Sequence, residues 1–500
     1  MQRISRRDLL KVIGAGAGLL AMRGGLGALA GSPAPARQPN IVLILADDLG
    51  WKDVGYNGSD FYETPNLDRL AQQGVGFSAA YAGGGNCAPS RACLISGQYT
   101  PRHGVYAVGD TDRGPANLMR LVPIPNTTYL APENVTMAEA LKAAGYATGH
   151  FGKWHLGGKP GAEPRDQGFD FSMDVPQKGS GPCDDPKGIY AITRAACDFI
   201  ERNKDGPFFA YVAHHAIHTG LQARPATLDK FKAKTPGRQH NHALYAACTY
   251  DLDDGVGLLL KKLAALGLEK DTLVVFTSDN GGTSQSSQEP LRGAKGCYYE
   301  GGIREPTIVR WPGVVQPGSR CDVPVINVDF YPTFLEAAGA AASPGKVLDG
   351  ASIVPLLKGG SKPPREAIFW HFPGYLNSPV PRGRDPVFRT RPVSVIHKGD
   401  WKLHLYHEEW QLDGGRAAID ANNAVELYNL ADDLGERKNL ALANPAKRDE
   451  LLADLLKWME SVKAPLPSQA NPNYAPDKAG GGQGGKNRKS RNQAGGDPDE

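Results

Sequence analysis

Three stretches of the chain are apolar without alternation: Asn40 to Ala46 (Asn-Ile-Val-Leu-Ile-Leu-Ala), Pro207 to Ala213 (Pro-Phe-Phe-Ala-Tyr-Val-Ala) and Thr272 to Thr277 (Thr-Leu-Val-Val-Phe-Thr). A strand with one solvated face alternates apolar and polar side chains. Unbroken apolar runs therefore demand cover on both faces, the condition met inside a parallel sheet. Between the runs, Thr136 to Ala144 and Ala243 to Leu266 carry apolar residues at helical spacing, with Gly145 and Gly267 as C-terminal stops. Strands alternating with helices predict an α/β fold on a large, mostly parallel sheet flanked by helices.

Beyond about residue 363 the texture changes to short segments: Ser394 to His397, Trp401 to Tyr406 and Glu426 to Leu430, then an amphipathic stretch from Arg448 to Val462. These predict a smaller C-terminal antiparallel sheet plus one helix. From Pro465 onward Gly, Asn, Lys and Pro dominate, a composition that predicts a disordered tail. The organisation expected is a main α/β domain over 40–362, an α+β subdomain over 363–464 and a tail over 465–500.

Lys and Arg total 56 against 53 Asp and Glu, so the net charge of +3 gives no basis for nucleic-acid binding or a polybasic membrane patch. Any anion must be recognised locally. The seven cysteines are too sparse for a disulfide scaffold, none forms a CxxC pair, and an odd count leaves at least one unpaired. At the N-terminus, Ser5-Arg6-Arg7-Asp8-Leu9-Leu10-Lys11 precedes a Gly/Ala-rich stretch, Val12 to Ala30. This is similar to a twin-arginine export signal over 1–30, cleaved near Ala30 and followed by a spacer over 31–39, and it predicts a periplasmic or extracellular destination. The stretch is rich in glycine and carries Arg23, so no permanent membrane span is expected.

The first apolar run ends in Asp47-Asp48 and the third in Ser278-Asp279-Asn280-Gly281-Gly282. Both polar pairs fall at strand C-termini, where ligands bind in open α/β sheets. Four oxygen-bearing side chains of this kind suit Ca²⁺ or Mg²⁺ rather than zinc. Each pair alone reads first as an ordinary turn or cap. Cys87 follows Gly83-Gly84-Gly85-Asn86 and precedes a helix expected from Ser90 to Ile95, with Pro89 at its start. A helix N-terminus attracts anions, and Arg91 adds a fixed cation. Alone, Cys87 also fits a structural thiol. The thiolate catalysis of cysteine phosphatases does not fit, because that loop separates Cys from Arg by five residues and this one by three.

Cys87-Ala88-Pro89-Ser90-Arg91, followed by Ser96-Gly97, resembles the signature of the type I sulfatases of the alkaline phosphatase superfamily, which marks a cysteine oxidised to formylglycine. A second signature of that family is matched by Gly145-Tyr146-Ala147-Thr148-Gly149-His150-Phe151-Gly152-Lys153-Trp154-His155-Leu156-Gly157. The similarity continues through Asp47-Asp48, Asp279 to Gly282, Leu291 to Gly296, Tyr299-Glu300-Gly301-Gly302 and Leu427-Tyr428-Asn429-Leu430, spanning roughly 40–440. The resemblance implies an alkaline-phosphatase-like sheet and a divalent cation, Ca²⁺ or Mg²⁺, held by Asp47, Asp48, Asp279 and Asn280 with the modified Cys87 as a further ligand. It implies a sulfate pocket lined by Arg91, Lys153, His155 and Lys295. It also makes His155 a base, and His218 with Lys295 the source of a proton for the leaving oxygen. Family members often carry Pro-His-x-Pro after the second apolar run, whereas this chain reads His214-His215-Ala216-Ile217-His218-Thr219-Gly220. His218 matches by position, with His214 and His215 as alternatives. His103 fits either a supporting role behind the pocket or a hydrogen-bonded structural one.

Sulfate monoester hydrolysis needs a nucleophile, neutralisation of the non-bridging oxygens and a proton for the leaving group. A formylglycine hydrate offers two hydroxyls, one to attack sulfur and one whose collapse expels sulfate. The modification requires a formylglycine-generating maturation enzyme as partner. Two rival readings are a phosphonate monoester hydrolase or phosphodiesterase of the same superfamily, and a non-catalytic binder of sulfated glycans; the intact set Cys87, Arg91, Lys153, His155 and Lys295 argues against the second. Export, a long loop region from Asp110 to Pro132, and the aromatics of Trp370-His371-Phe372 and Trp401 suggest a sulfated polysaccharide or glycosaminoglycan as substrate, because sugars stack on rings.

Overall fold

The computed structural model describes residues 38–177 and 179–476; the export signal read over 1–30, most of the spacer and residues 477–500 of the tail lie outside them. Nine strands among the described residues form the main sheet: β1 (Asn40–Ala46), β2 (Val75–Tyr81), β3 (Ala147–Gly152), β4 (Phe171–Met173), β5 (Phe208–Ala213), β6 (Thr272–Ser278), β7 (Arg304–Arg310), β8 (Ser319–Cys321) and β9 (Val325–Ile326). Their order is β8-β2-β7-β6-β1-β5-β3-β4, with β9 also paired to β2. The three apolar runs are the adjacent parallel strands β6, β1 and β5, with Leu43 paired to Val275 on one side and to Tyr211 on the other. Of these nine strands, β7 alone runs antiparallel to its neighbours, β2 and β6.

The period of two in a strand divides each run between two cores. Val42, Ile44, Ala210, Val212, Val274 and Phe276 pack under α1 (Pro65–Gln73), α4 (Ile189–Arg202) and α5 (Ala243–Ala265). Ile41, Leu43, Leu45, Phe209, Tyr211, Leu273 and Val275 pack under α2 (Cys87–Ser96), α3 (Met137–Ala143) and α6 (Phe330–Ala338). Helix α3 starts with a capping box: Glu139 N–H donates to Thr136 Oγ1 at 3.2 Å, and Thr136 N–H donates to Glu139 Oε2 at 2.7 Å.

The C-terminal antiparallel sheet has β10 (Ala367–Phe372), β11 (Val393–Lys398), β12 (Trp401–Tyr406) and β13 (Val425–Asn429) in sequential order, covered by α7 (Pro445–Ser461). Its core takes in Tyr81, Tyr99, Tyr298 and Ile303 from the main domain, and Trp370 Nε1–H donates to the Ala82 carbonyl at 2.7 Å. Trp370, His371 and Phe372, expected to offer rings to a sugar, instead lie inside the protein. All three are buried at 1% exposure, and Trp401 packs against the same core.

The expectation of disorder from Pro465 also fails over the described residues. Val122 N–H donates to the Gln469 carbonyl at 2.8 Å, Asn471 N–H to Arg120 at 2.9 Å and Ala475 N–H to Asn117 at 2.9 Å, so this stretch fastens the loop region after Asp110. The seven cysteines are all free thiols. No helix among the described residues is long and apolar enough to cross a membrane.

Two glycines near β3 separate backbone strain from crowding. Both have left-handed φ, +92° at Gly145 and +98° at Gly152, but a Cβ on Gly152 would lie 2.0 Å from the Ala213 carbonyl oxygen whereas one on Gly145 meets nothing within 4 Å. Gly145→Ala should cost about 1–2 kcal/mol of stability, and Gly152→Ala a further 1–3 kcal/mol or so for forcing β3 from β5. Urea unfolding of the two variants checks the order.

Candidate active site

The ends of β1 and β6 are laced together, and the lacing fixes the acidic groups. Asp279 N–H donates to the Ala46 carbonyl at 3.1 Å, Asp48 N–H to Asp279 Oδ1 at 3.1 Å and Leu49 N–H to Ser278 Oγ at 3.0 Å. Asp48 takes a left-handed φ of 66°, a conformation that costs a non-glycine residue energy and is sustained here by its neighbours. On the other side Asp47 N–H donates to the Ala216 carbonyl and Ile217 N–H to the Asp47 carbonyl, joining the loop after β5 to the same point.

Helix α2 begins at Cys87 rather than at Ser90, with Asn86 as its N-cap. Every one of its residues is buried. The glycine run before it permits the close approach: a Cβ on Gly83 would lie 2.5 Å from that of Cys93. Cys87 Sγ thereby reaches Asp47 Oδ1 at 3.4 Å and Asp48 Oδ1 at 3.8 Å. One ligand atom from each of Asp47, Asp48, Cys87 and Asp279 lies within 4.8 Å of the others. Asn280 Nδ2–H donates to Asp48 Oδ1 at 2.8 Å, and its buried Oδ1 accepts no hydrogen bond among the described residues. Three carboxylates and an open amide oxygen form a hard-oxygen donor set that fits Ca²⁺ or Mg²⁺.

Three cations from three segments compensate the acids. Arg91, wholly buried, donates through Nε and Nη2 to Asp279 Oδ2 at 2.9 and 2.8 Å and through Nη1 to the Lys153 carbonyl at 2.8 Å. Lys153 Nζ lies 2.7 Å from Asp47 Oδ2, and Lys295 Nζ donates to Asp48 Oδ2 at 2.9 Å. Burial opposes ionisation of Asp47, but Lys153, His218, Arg91 and Lys295 together hold its carboxyl well below the usual range. Asp279 is pushed up to about 6 by burial and by the charge of Asp47. Burial, then Asp279 and Asp47, push the Cys87 thiol well above its ordinary value. That is the opposite of the thiolate activation a cysteine nucleophile needs.

The histidines separate by position. His218 Nδ1–H donates to the Thr219 carbonyl at 2.8 Å, leaving Nε2 3.8 Å from Asp48 Oδ2. His215 turns instead to Asp174, 2.7 Å away. Burial pushes His214 down to about 3, with His215 beside it adding to the shift. Of the three candidates, His218 is thus the one that faces the acidic cluster. His155 follows Lys153 by two residues, partly buried in a left-handed turn. His103 is structural: its Nε2 lies 3.5 Å from Cys93 Sγ and its Nδ1 accepts the Val105 N–H at 3.1 Å. Sequence reasoning gave no role to Ser278, although its place directly before Asp279 was visible.

Known proteins share both the sequence and the fold of this chain. The family model described as Sulfatase matches residues 39–340, and one described as N-sulphoglucosamine sulphohydrolase, C-terminal, matches 294–464. A protein named Sulfatase from Formosa agariphila is 36% identical, covering 86% of this chain and 90% of its own length. Arylsulfatase A of Homo sapiens is 33% identical over 88% and 90%, and N-acetylgalactosamine-6-sulfatase of Mus musculus 34% identical over 90% and 91%. The crystal structure of Ps i-CgsB in complex with k-i-k-neocarrahexaose superposes with a TM-score of 0.67 at 29% identity, covering 87% of this chain and 95% of that one. The chain belongs to the sulfatase family and is a sulfuric ester hydrolase.

Proposed function

We propose that the protein removes sulfate from a sulfated polysaccharide or glycosaminoglycan, with Cys87 oxidised to formylglycine as nucleophile and Ca²⁺ or Mg²⁺ held by Asp47, Asp48, Asp279 and Asn280. The observation that carries this reading is the setting of Cys87, sealed at the first turn of α2 against Asp47 and Asp48, where burial and then the charges of Asp279 and Asp47 disfavour its thiolate. When present, the aldehyde hydrate supplies a hydroxyl nucleophile and the cation favours its ionised form.

The remaining work falls to side chains of this chain. Lys153 and Lys295, paired with the carboxylates of Asp47 and Asp48, and Arg91 beyond them present positive charge to the sulfate oxygens. His218, whose Nδ1–H donates to a backbone carbonyl, is assigned proton transfer to the leaving oxygen through Nε2, assisted by Lys295. His155 is assigned the base that helps release sulfate. A carbohydrate substrate is supported by the mouse relative named N-acetylgalactosamine-6-sulfatase and by the neocarrahexaose complex of Ps i-CgsB. Export by the twin-arginine-type leader and oxidation of Cys87 by a maturation enzyme complete the reading.

Cys87→Ala should abolish hydrolysis of aryl sulfates and sulfated oligosaccharides, and mass spectrometry of the peptide containing position 87 should find the aldehyde in the active protein. Wild-type turnover by the variant would overturn the scheme. His218→Ala should slow a sugar sulfate by roughly 10²–10⁴-fold and a nitrophenyl sulfate less, because an acidic phenol leaves without a proton. Chelation should remove activity and lower the melting temperature, and Ca²⁺ or Mg²⁺ should restore both, since a ligand of the folded state stabilises it.

A further inference from the structure

Residues 291–303, which carry Lys295, close on themselves as a strap. Gly301 N–H donates to the Arg292 carbonyl at 2.7 Å and Gly302 N–H to Tyr299 at 2.9 Å. Toward the site, Lys295 N–H donates to the Gly282 carbonyl at 2.8 Å, Gly281 N–H to Gly302 at 2.9 Å and Gly296 N–H to Gly85 at 2.7 Å. These bonds tie the strap to Gly281 and Gly282, which follow Asn280, and to Gly85 in the glycine run before Cys87. The contacts are backbone against backbone: a Cβ on Gly281 would lie 2.1 Å from the Gly301 carbonyl oxygen, and one on Gly302 2.1 Å from that of Cys297. With no side chain between the layers, displacement of the outer edge passes directly to Lys295.

That outer edge is gripped by the C-terminal subdomain. The Glu300 carboxylate accepts from Lys402 Nζ on β12 at 2.9 Å, from Tyr81 O–H at 3.0 Å and from Arg304 Nη1 at 2.8 Å. Glu300 N–H donates to Glu436 Oε2 at 2.7 Å, and Lys402 Nζ lies 3.0 Å from Glu436 Oε1. Glu300, Lys402 and Glu436 are wholly buried. Alongside, the Arg292 guanidinium sits 3.8 Å above the Tyr299 ring and donates to Tyr428 Oη at 2.9 Å, while Tyr299 O–H donates to Glu426 at 2.7 Å. The Tyr299-to-Gly302 and Leu427-to-Leu430 motifs, which the chemistry of the pocket leaves without a role, thus meet in this grip.

We infer that Lys402 and Glu436 are positioning residues: through Glu300 they hold the strap in the register that brings Lys295 Nζ to Asp48 and the sulfate pocket. This rests on the role proposed for Lys295. A double-mutant cycle on the full-length protein tests it. Glu436→Gln, which keeps an oxygen to accept the Glu300 N–H, and Lys402→Met should each lower kcat by about 10–100-fold with little change in KM, in protein that circular dichroism shows to be folded. In a Lys295→Ala background the same changes should cost no more than about twofold, the scatter of independent sites. Equal losses in both backgrounds, or folded variants with unchanged kcat, would overturn the positioning role. A Lys295→Ala protein as active as wild type would instead overturn the pocket assignment beneath it. If Lys402→Met does not fold, Glu436→Gln alone completes the cycle.

Discussion

The structure depends on keeping three carboxylates together. Asp47, Asp48 and Asp279 converge within a space where one oxygen of each lies less than 4.8 Å from the others, all out of water. Like charges about 4 Å apart repel by roughly 4 kcal/mol at the effective dielectric of a protein site, so the arrangement stands only with matched cations. Arg91 comes from α2, Lys153 from the end of β3 and Lys295 from the strap after β6. The acids come from two adjacent strands. One charge balance therefore fixes the relative positions of these chain segments.

The same balance bears on the reactivity proposed for the site. A buried ion cluster contributes little net stability, because the desolvation of each charge offsets most of the attraction. Under the proposed function its value is preorganisation: the charges assigned to the sulfate oxygens already lie together in the site and need no reorganisation when the substrate arrives. The sheet makes such a cluster sustainable, since its strands are apolar on both faces up to Ala46 and Ser278 and turn polar only at their ends. Backbone bonds at those ends, Asp279 to Ala46 and Asp47 to Ala216 in the loop after β5, fix the main chain from which the acidic side chains project.

Much of this was legible in the sequence where a physical signal was strong. The runs at 40–46, 207–213 and 272–277 could be read as central strands because burial on both faces removes alternation, and α5 could be read from its length and its glycine stop. The start of helix α2, three residues earlier than expected, is hidden for a related reason. With all ten of its residues buried, it has no polar face and shows no period. Strand β7, Arg304–Arg310, is concealed because its two arginines turn to Glu300 and Glu269 and its Glu305 to Thr277, which reads in one dimension as a surface segment. The packing of 465–475 against 117–122 uses main-chain groups, and composition carries no record of those. The choice among His214, His215 and His218 needed the fold, since only three-dimensional position shows that His215 answers to Asp174 and His218 to Asp48.

The boundary read near residue 363 illustrates the difference between texture and stability. It marks where the mostly parallel sheet gives way to a wholly antiparallel one. Yet the small sheet shares a core with Tyr81, Tyr99 and Tyr298, and it supplies the Lys402 whose ammonium bridges Glu300 and Glu436 at the back of the strap. Burial raises Glu436 to about 7 even with Lys402 beside it, while Lys402 and Arg304 overcome burial to hold Glu300 at about 2. Taking the ammonium away would leave Glu300 with Arg304 and Tyr81, and Glu436 with the Glu300 N–H and a histidine that burial keeps neutral. Breaking a buried ion pair from one side costs about 3–5 kcal/mol, a large share of the stability of any domain. The two sheets are therefore distinct in strand geometry but joined in energy, and the seam between them runs directly behind Lys295.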